Sequence, residues 1–261
     1  MVSLRRFEGR TIYVTGGGHG IGRAVAMRLA NEGGAVAVSD IDADAARGVA
    51  GEITAGGGTA FATSCDVTRT SSVEASMADA IARLGRLDVL VATAGGDSDE
   101  PAAFEAIGDE IWDRKLDLNL NGVVRCIRAA LPALIAAGAG SNVVAIGSVN
   151  GSVAISGYPY SAAKAGLEIT IRNLAARYGR QGLRFNLITP GTIWTRNWDG
   201  REDDLARIAR MYPLGRVGEP DDVASAAAFL ASADAAWITG INLPVEGGLL
   251  TGPAATLAAD R

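Results

Sequence analysis

Tyr160 and Lys164 stand four positions apart in the run Tyr160-Ser161-Ala162-Ala163-Lys164, at the head of a segment with an apolar stripe of Leu167, Ile171, Leu174 and Tyr178. Followed backward by helical spacing, that stripe reaches Lys164 and then Tyr160. A lysine therefore continues the core-facing side, where an ammonium is costly to hold. A solvated lysine would sit on the opposite face. A tyrosine hydroxyl titrates near pH ~10, and a nearby ammonium favours its phenolate form. One helical turn apart, both groups can face one site. Such a pair can take the proton from a carbinol oxygen, or return it, while a hydride leaves or reaches the carbon.

Hydride chemistry needs a carrier, and a second constellation suits one. The run Thr15-Gly16-Gly17-Gly18-His19-Gly20-Ile21-Gly22 follows an apolar stretch and opens a helical pattern. Glycines there permit a tight turn and close backbone approach to a pyrophosphate, which the helix N-terminus favours. A purely structural turn is the competing reading. Asp40 follows Gly22 by 18 positions, close to the spacing at which a carboxylate accepts from a ribose diol and repels a 2′-phosphate. Positions 15–22 hold no Lys or Arg, and Arg23 points to solvent from the first helix, so NAD is favoured over NADP. The alternative for Asp40 is a helix cap, with Asp42 its competitor for that role.

The elements that must position these groups alternate. Strands are expected at Thr11–Val14, Ala35–Ser39, Thr59–Thr63, Leu87–Ala92, Asn142–Gly147, Leu183–Ile188 and within Ile238–Val245. Helices are expected at about 21–31, 41–55, 69–84, 103–115, 118–137, 158–179 and 220–232, with helical potential over 202–211. Such alternation implies right-handed βαβ units and a parallel sheet of about seven strands. No linker or repeat divides the chain, so one α/β domain over 1–261 is expected. Ligands of such sheets bind outside the carboxyl ends of the strands, which points to the loops after Val14, Asp40, Val91, Gly147 and Thr189.

In this order and spacing the marks resemble the short-chain dehydrogenase/reductase family over nearly the whole chain. They are Thr15-Gly-x-x-x-Gly-Ile-Gly22, Cys65-Asp66-Val67, Ala94-Gly95, Asn119, Ser148, Tyr160-x-x-x-Lys164, Pro190-Gly191-x-x-x-Thr195 and the late Gly240…Val245-x-Gly247-Gly248 segment. The resemblance implies a Rossmann fold and assigns catalytic roles to Asn119, Ser148, Tyr160 and Lys164. Ser148 would bond the substrate oxygen and Tyr160 would be the acid/base. Lys164 would hold the nicotinamide ribose, and Asn119, rather than nearby Asn121, would anchor a water behind it. Gly16, Gly18, His19, Gly20, Ile21, Asp40, Ala94 and Gly95 would line the cofactor, and Tyr160 with Lys164 would also touch it. Asp66 and Val67 would flank adenine. Pro190, Gly191, Ile193 and Thr195 would border the nicotinamide. A homotetramer paired through the helices beginning near Leu118 and Tyr160 is also implied.

Two departures stand out. Ala92-Thr93 replaces the Asn-Asn that many members carry after the fourth strand, which puts local strand tying in doubt. His19 stands where a small polar residue is common, with a solvent-exposed loop residue as its plain reading. Ser148 and Tyr160 are 12 positions apart, one short of a frequent family interval.

A lid is expected over about 192–212, where Ile193, Trp194, Trp198, Met211 and Tyr212 concentrate apolar and aromatic surface. Val149, Val153, Ile155 and Tyr158 extend the same wall. With Ser148 and Asn150, Trp194 and Trp198 are the expected substrate-pocket residues, so a hydrophobic or cyclic alcohol or ketone is favoured. The alternative for the tryptophans is pinning the lid to the core. Asp97, Asp99 and Glu100 are expected in a solvated loop.

Composition removes other classes. Lys and Arg number 24 against 29 acids, a net −5 without basic runs, which disfavours a nucleic-acid groove or an anionic membrane. The N-terminal residues lack a signal core, and uninterrupted apolar runs stay short of a span, so a cytoplasmic location is expected. Cys65 and Cys126 are read as two buried thiols. With one histidine and no ligand spacing, no metal site is expected. Two rivals remain on the same fold, an epimerase or dehydratase with retained cofactor and a dinucleotide-sensing regulator.

Overall fold

The computed structural model describes residues 5–96, 101, 103–155 and 157–252. Asp97, Asp99 and Glu100 lie outside the described residues. Seven strands form one parallel sheet: β1 (Thr11–Thr15), β2 (Ala35–Asp40), β3 (Thr59–Ser64), β4 (Val89–Ala92), β5 (Asn142–Ile146), β6 (Arg184–Pro190) and β7 (Asn242–Val245). Their spatial order is β3-β2-β1-β4-β5-β6-β7. The order reverses between β1 and β4, which opens the crevice where such sheets take ligands. All residues of β1, β4, β5 and β6 are buried, as required of strands covered on both faces. Pro244 is tolerated because β7 is an edge strand.

Helices cover both faces. On one, α1 (Gly20–Asn31), α2 (Ala43–Ala55) and α8 (Pro220–Ala231) bury Val25, Leu29, Val49, Val223 and Leu230 against the sheet. On the other, α3 (Thr70–Leu84), α5 (Gly122–Ala137) and α6 (Tyr158–Tyr178) bury Met77, Ile127, Leu134, Leu167 and Ile171. Asp42 caps α2 by accepting from the Ala45 N–H at 3.0 Å, which leaves Asp40 for another role. Glu219 and Asp222 make a reciprocal capping box at α8, with Pro220 in its first turn. The short α7 (Glu202–Ala209) lies within the expected lid.

The segment 103–137 departs from the expected pair of helices. Residues Phe104–Ala106 form one 3₁₀ turn, and α4 (Asp109–Leu116) continues through a π turn over Asp117–Asn121 into α5. The Gly122 N–H bonds the Asp117 carbonyl, five residues back, which widens the helix and shifts the apolar stripe. That phase shift reads in sequence as a break. The continuous helix Asp109–Ala137, 29 residues long, reaches the length and apolar content of a membrane span, unlike the shorter apolar runs counted along the sequence. It packs on the sheet through Val123, Cys126, Ile127, Ala130 and Leu134.

Cys65 and Cys126 are both free and buried, as expected. Burial pushes both thiols up, Cys126 to about 12, which makes them inert at neutral pH.

Candidate active site

The glycine loop leaves β1 under tight steric rules. Gly16 and Gly20 adopt φ of 61° and 47°, a left-handed conformation that favours glycine. A Cβ at Gly22 would lie 2.0 Å from the Gly16 carbonyl oxygen, so the third glycine lets α1 close onto the loop. Gly17 N–H bonds the Ser39 carbonyl at 2.9 Å. Gly18 N–H donates to Asp40 Oδ2 at 2.9 Å, and Asp42 N–H to Asp40 Oδ1 at 3.0 Å. Asp40 is buried at the end of β2, and each oxygen keeps acceptor capacity beyond its one backbone bond. His19 occupies the N-cap of α1 with no side-chain capping bond, so the orphan N–H groups of the first turn stay available to an anion. These features fit a dinucleotide. Ile21 packs its side chain against the core. Arg23 bonds Glu52 at 2.5 Å on the exposed surface, as its helical position implied.

His19 lies in the loop ahead of α1 and is partly exposed. Its ring is 33% exposed, and Nε2 lies 3.1 Å from Asp42 Oδ2.

The β1 and β4 ends are joined without the usual asparagines. Thr15 Oγ1 accepts from the Thr93 and Ala94 N–H groups at 3.1 Å each, and the Thr93 hydroxyl donates to the Thr15 carbonyl. This answers the doubt raised by Ala92-Thr93. Thr15 and Thr93 are the tying residues that sequence reading passed over. Gly95 follows in a confined place, where a Cβ would lie 2.8 Å from Asn119 Oδ1 and 3.3 Å from Lys164 Nζ.

Asn119, Gly95 and Lys164 are thus brought together. Asn119 is fully buried on the π turn. Its Nδ2 donates to the Gly96 and Lys115 carbonyls at 2.9 and 3.1 Å, and its Oδ1 accepts from Gly96 N–H at 3.0 Å. The amide therefore ties the helix to the loop after β4. Asn121 is exposed, whereas Asn119 is buried beside Gly95.

Lys164 is 5% exposed, and Nζ donates to the Ile146 carbonyl at the end of β5, 2.9 Å away. Its ammonium lies 5.5 Å from the Tyr160 ring centroid. Burial alone lowers its pKa from 10.5 to about 8. Tyr160 is half-buried in the first turn of α6. Ser148 begins the turn after β5, exchanging hydrogen bonds of 3.2 Å with Asn150 through its hydroxyl. Gly151 seats that turn on α6, since a Cβ there would lie 2.8 Å from the Lys164 carbonyl carbon.

Asp66 and Val67 brace the loop after β3. Asp66 Oδ1 accepts from the Thr68 N–H and hydroxyl at 2.9 and 2.6 Å, chiefly the latter holding its carboxyl below the ordinary range. Val67 packs on Gly122. At the other end, Pro190 closes β6 and Gly191 N–H bonds the Val245 carbonyl at 3.1 Å. Ile193 is buried against Gly218, and Thr195 reaches Gly20, where a Cβ would lie 3.1 Å from its Cγ2. The segment after β6 therefore reaches the glycine loop.

Neither tryptophan is fully buried. Trp194 is 50% exposed, and Trp198 lies under the Arg201 guanidinium at 4.4 Å. The anchor is Tyr212, which is 5% exposed and accepts from the Thr192 N–H through its hydroxyl at 2.7 Å. Its ring fills the space over Gly191 and Gly247. A cavity of about 410 Å³ borders this anchor and includes Thr192, Ile193 and Pro213. A larger cavity of about 490 Å³ lies where β5 and β6 begin, beside Arg10 and Arg184, at the wrong end of the strands for this chemistry. Phe104, unnoticed in the sequence, packs edge-on against Tyr158 at 5.1 Å and Trp112 at 6.5 Å.

A family model described as Enoyl-(Acyl carrier protein) reductase matches residues 16–250. The chain is 40% identical over 250 residues to an uncharacterized oxidoreductase of Schizosaccharomyces pombe, covering 94% of this chain and 92% of that one. It is 39% identical to a cis-4-hydroxycyclohexanecarboxylate dehydrogenase of Sinomonas cyclohexanicum, covering 93% and 97%. It is 35% identical to a D-threitol dehydrogenase of Mycolicibacterium smegmatis, covering 93% and 94%. The crystal structure of gox2181 superposes with a TM-score of 0.89 at 33% identity, covering 94% and 97%. The chain belongs to the short-chain dehydrogenase/reductase family. It is an oxidoreductase of CH–OH groups that works with a nicotinamide cofactor.

Proposed function

We propose that the protein interconverts a secondary alcohol and its ketone with NAD(H), on a bulky apolar or cyclic substrate. The observation that carries the reading is Lys164, buried with its ammonium 5.5 Å from the Tyr160 ring. A structural lysine would escape the desolvation cost at the surface. Bound NAD supplies the hydride acceptor. In oxidation, Tyr160 Oη takes the proton of the carbinol hydroxyl, and Ser148 Oγ holds the carbinol oxygen. Lys164 favours the phenolate electrostatically and would hold the nicotinamide ribose. Asn119 fixes the π turn behind Lys164 and the loop carrying Gly95. In reduction the proton path reverses.

NAD over NADP is supported by buried Asp40, whose free acceptor positions suit ribose hydroxyls and oppose a phosphate. Exchanging Asp40 for Ser and Ile41 for Arg should reverse the preference. Ile41 is 70% exposed, so an arginine fits there. Titration of both cofactors checks this, and tighter NADP than NAD in the wild type would sink it.

Two relatives named above act on a ring alcohol and on a linear polyol. The apolar residues near Ser148 and Tyr160 in the chain, with Val149 buried and Val153, Ile155 and Tyr158 exposed, and exposed Trp194 after β6, favour the ring. Cyclohexanol should exceed threitol in kcat/KM by at least ~10-fold, the scale on which apolar pockets discriminate. The reverse order would overturn the substrate class.

A homotetramer and a cytosolic location complete the reading. Ile135 on α5 and Ile169 on α6 are 40% and 56% exposed, which leaves apolar surface on both helices for a two-fold contact. Ile169→Glu should reduce the assembly in light scattering. An unchanged mass, or a monomeric wild type at micromolar concentration, would contradict it.

A further inference from the structure

We infer that the cavity where β5 and β6 begin is a second binding site, one that takes a small organic carboxylate between Arg10 and Arg184. It lies at the opposite end of the strands from Asp40 and Ser148, so the inference is independent of the NAD reading. The cavity measures about 490 Å³, within the range of small-molecule sites.

Charge sets this cavity apart. Its described lining holds three arginines, Arg6, Arg10 and Arg184, and no acid, in a chain of net charge −5. Arg6 is matched. It bonds Glu32 through two nitrogens at 2.6 and 2.9 Å, and Asp234 at 3.3 Å. Arg10 is matched only in part. Its Nε lies 3.8 Å from Asp88, a carboxylate that Arg86 holds more closely at 2.6 Å. Arg184 is 7% exposed and has no carboxylate partner among the described residues. Its bonds go to the Leu230, Ile238 and Ser232 carbonyls. A helix end offsets only about half a unit charge, so part of the Arg184 charge stays uncompensated. Burial, and then the charge of Arg10, lower the Arg184 pKa.

Support of the helix end does not require this cation. Neutral amides already serve carbonyls there, with Asn142 Nδ2 on Ala231 at 3.0 Å and Asn186 Nδ2 on Ile238 at 3.0 Å. Each guanidinium also has donors to spare. An arginine carries five N–H donors. Arg184 makes three bonds and Arg10 makes one, to the Gly140 carbonyl at 2.7 Å.

The ligand class follows. Less than one unit of uncompensated buried charge favours a monoanion over a doubly charged phosphate. A carboxylate matches the planar fork of a guanidinium. Phe7, Leu183, Ala231 and Trp237 supply apolar surface beside the arginines. Trp237 is 99% exposed and offers its indole to an apolar ring. The fitting ligand carries one carboxylate on an aromatic or alicyclic body.

The test uses benzoate as the probe at constant ionic strength, with benzamide as its neutral counterpart and inorganic phosphate as the rival anion. The full chain is labelled with 5-fluorotryptophan. Its four tryptophans give four fluorine signals, and Trp237→Phe assigns that of Trp237. Trp194 and Trp198 report separately on the substrate side. Benzoate should shift the Trp237 signal saturably, and benzamide and phosphate should bind there more weakly. Arg10→Gln should weaken benzoate by ~10-fold or more, the scale of losing a hydrogen bond to a charged group. Arg10 is used in preference to Arg184 because its side chain is 30% exposed, so its loss spares the core. No saturable shift of Trp237, equal affinity for benzamide or phosphate, or unchanged benzoate affinity in Arg10→Gln would each overturn the inference.

Discussion

Tyr160→Phe should retain the fold and the NAD affinity while turnover falls by ~10²–10⁴-fold, the loss expected when a general acid–base is removed. The substitution deletes one oxygen from a half-buried side chain in the first turn of α6. Lys164 still bonds the Ile146 carbonyl, and the glycine loop and Asp40 lie on other elements. Binding and turnover therefore separate in this variant. Equal loss of both would mean that Tyr160 serves the cofactor pocket. Near-normal turnover would place the proton elsewhere and reopen the regulator reading.

Lys164→Met should lower turnover by a comparable factor, weaken NAD binding and move fast oxidation to higher pH, because the phenolate loses its ammonium. The same change has a second signature in stability. Burial lowers the Lys164 pKa from 10.5 to about 8. Between those values the unfolded chain binds more protons than the folded one, so wild-type stability rises with pH through that window. The unfavourable contribution is fully present below about pH 8, and it is relieved as pH approaches the unfolded value. Its full size is about 3 kcal/mol by the pKa conversion. Methionine removes the titration but leaves the Ile146 carbonyl without its donor, a cost of about 1–3 kcal/mol. The expected result is a variant near wild-type stability at pH 7 that loses ground to wild type between pH 8 and 10. Denaturant melts of both proteins across that range measure it. A difference that is flat with pH would show that Lys164 does not titrate there.

The parts of this account legible in the sequence are those carried by local spacing. The glycine loop, Asp40 and the Tyr160–Lys164 pair each sit within one βα unit or one helical turn. The central strands were legible because both-face burial makes them short apolar runs. Asn119 was legible only through family resemblance, and its physical setting was not. The π turn that carries it has no sequence mark of its own and splits the stripe of one helix into two. Contacts made at long range were hidden. Tyr212 anchors the lid to the Thr192 N–H twenty positions back, and its aromatic character alone suggested a wall. Phe104 finds Tyr158 only because α4 packs beside α6. Arg184 was equally unreadable. It begins a buried strand, and its guanidinium bonds the Leu230 and Ser232 carbonyls at the end of α8, a cation placed where a helix C-terminus favours one.

The most direct test of the central claim is cofactor absorbance with purified wild-type protein, NAD⁺ and a panel of cyclic secondary alcohols, repeated with NADH and the matching ketones. The account predicts NADH formation with at least one cyclic alcohol and NADH consumption with its ketone, both abolished in Tyr160→Phe. Tight NAD⁺ binding without turnover in either direction across the panel would contradict it.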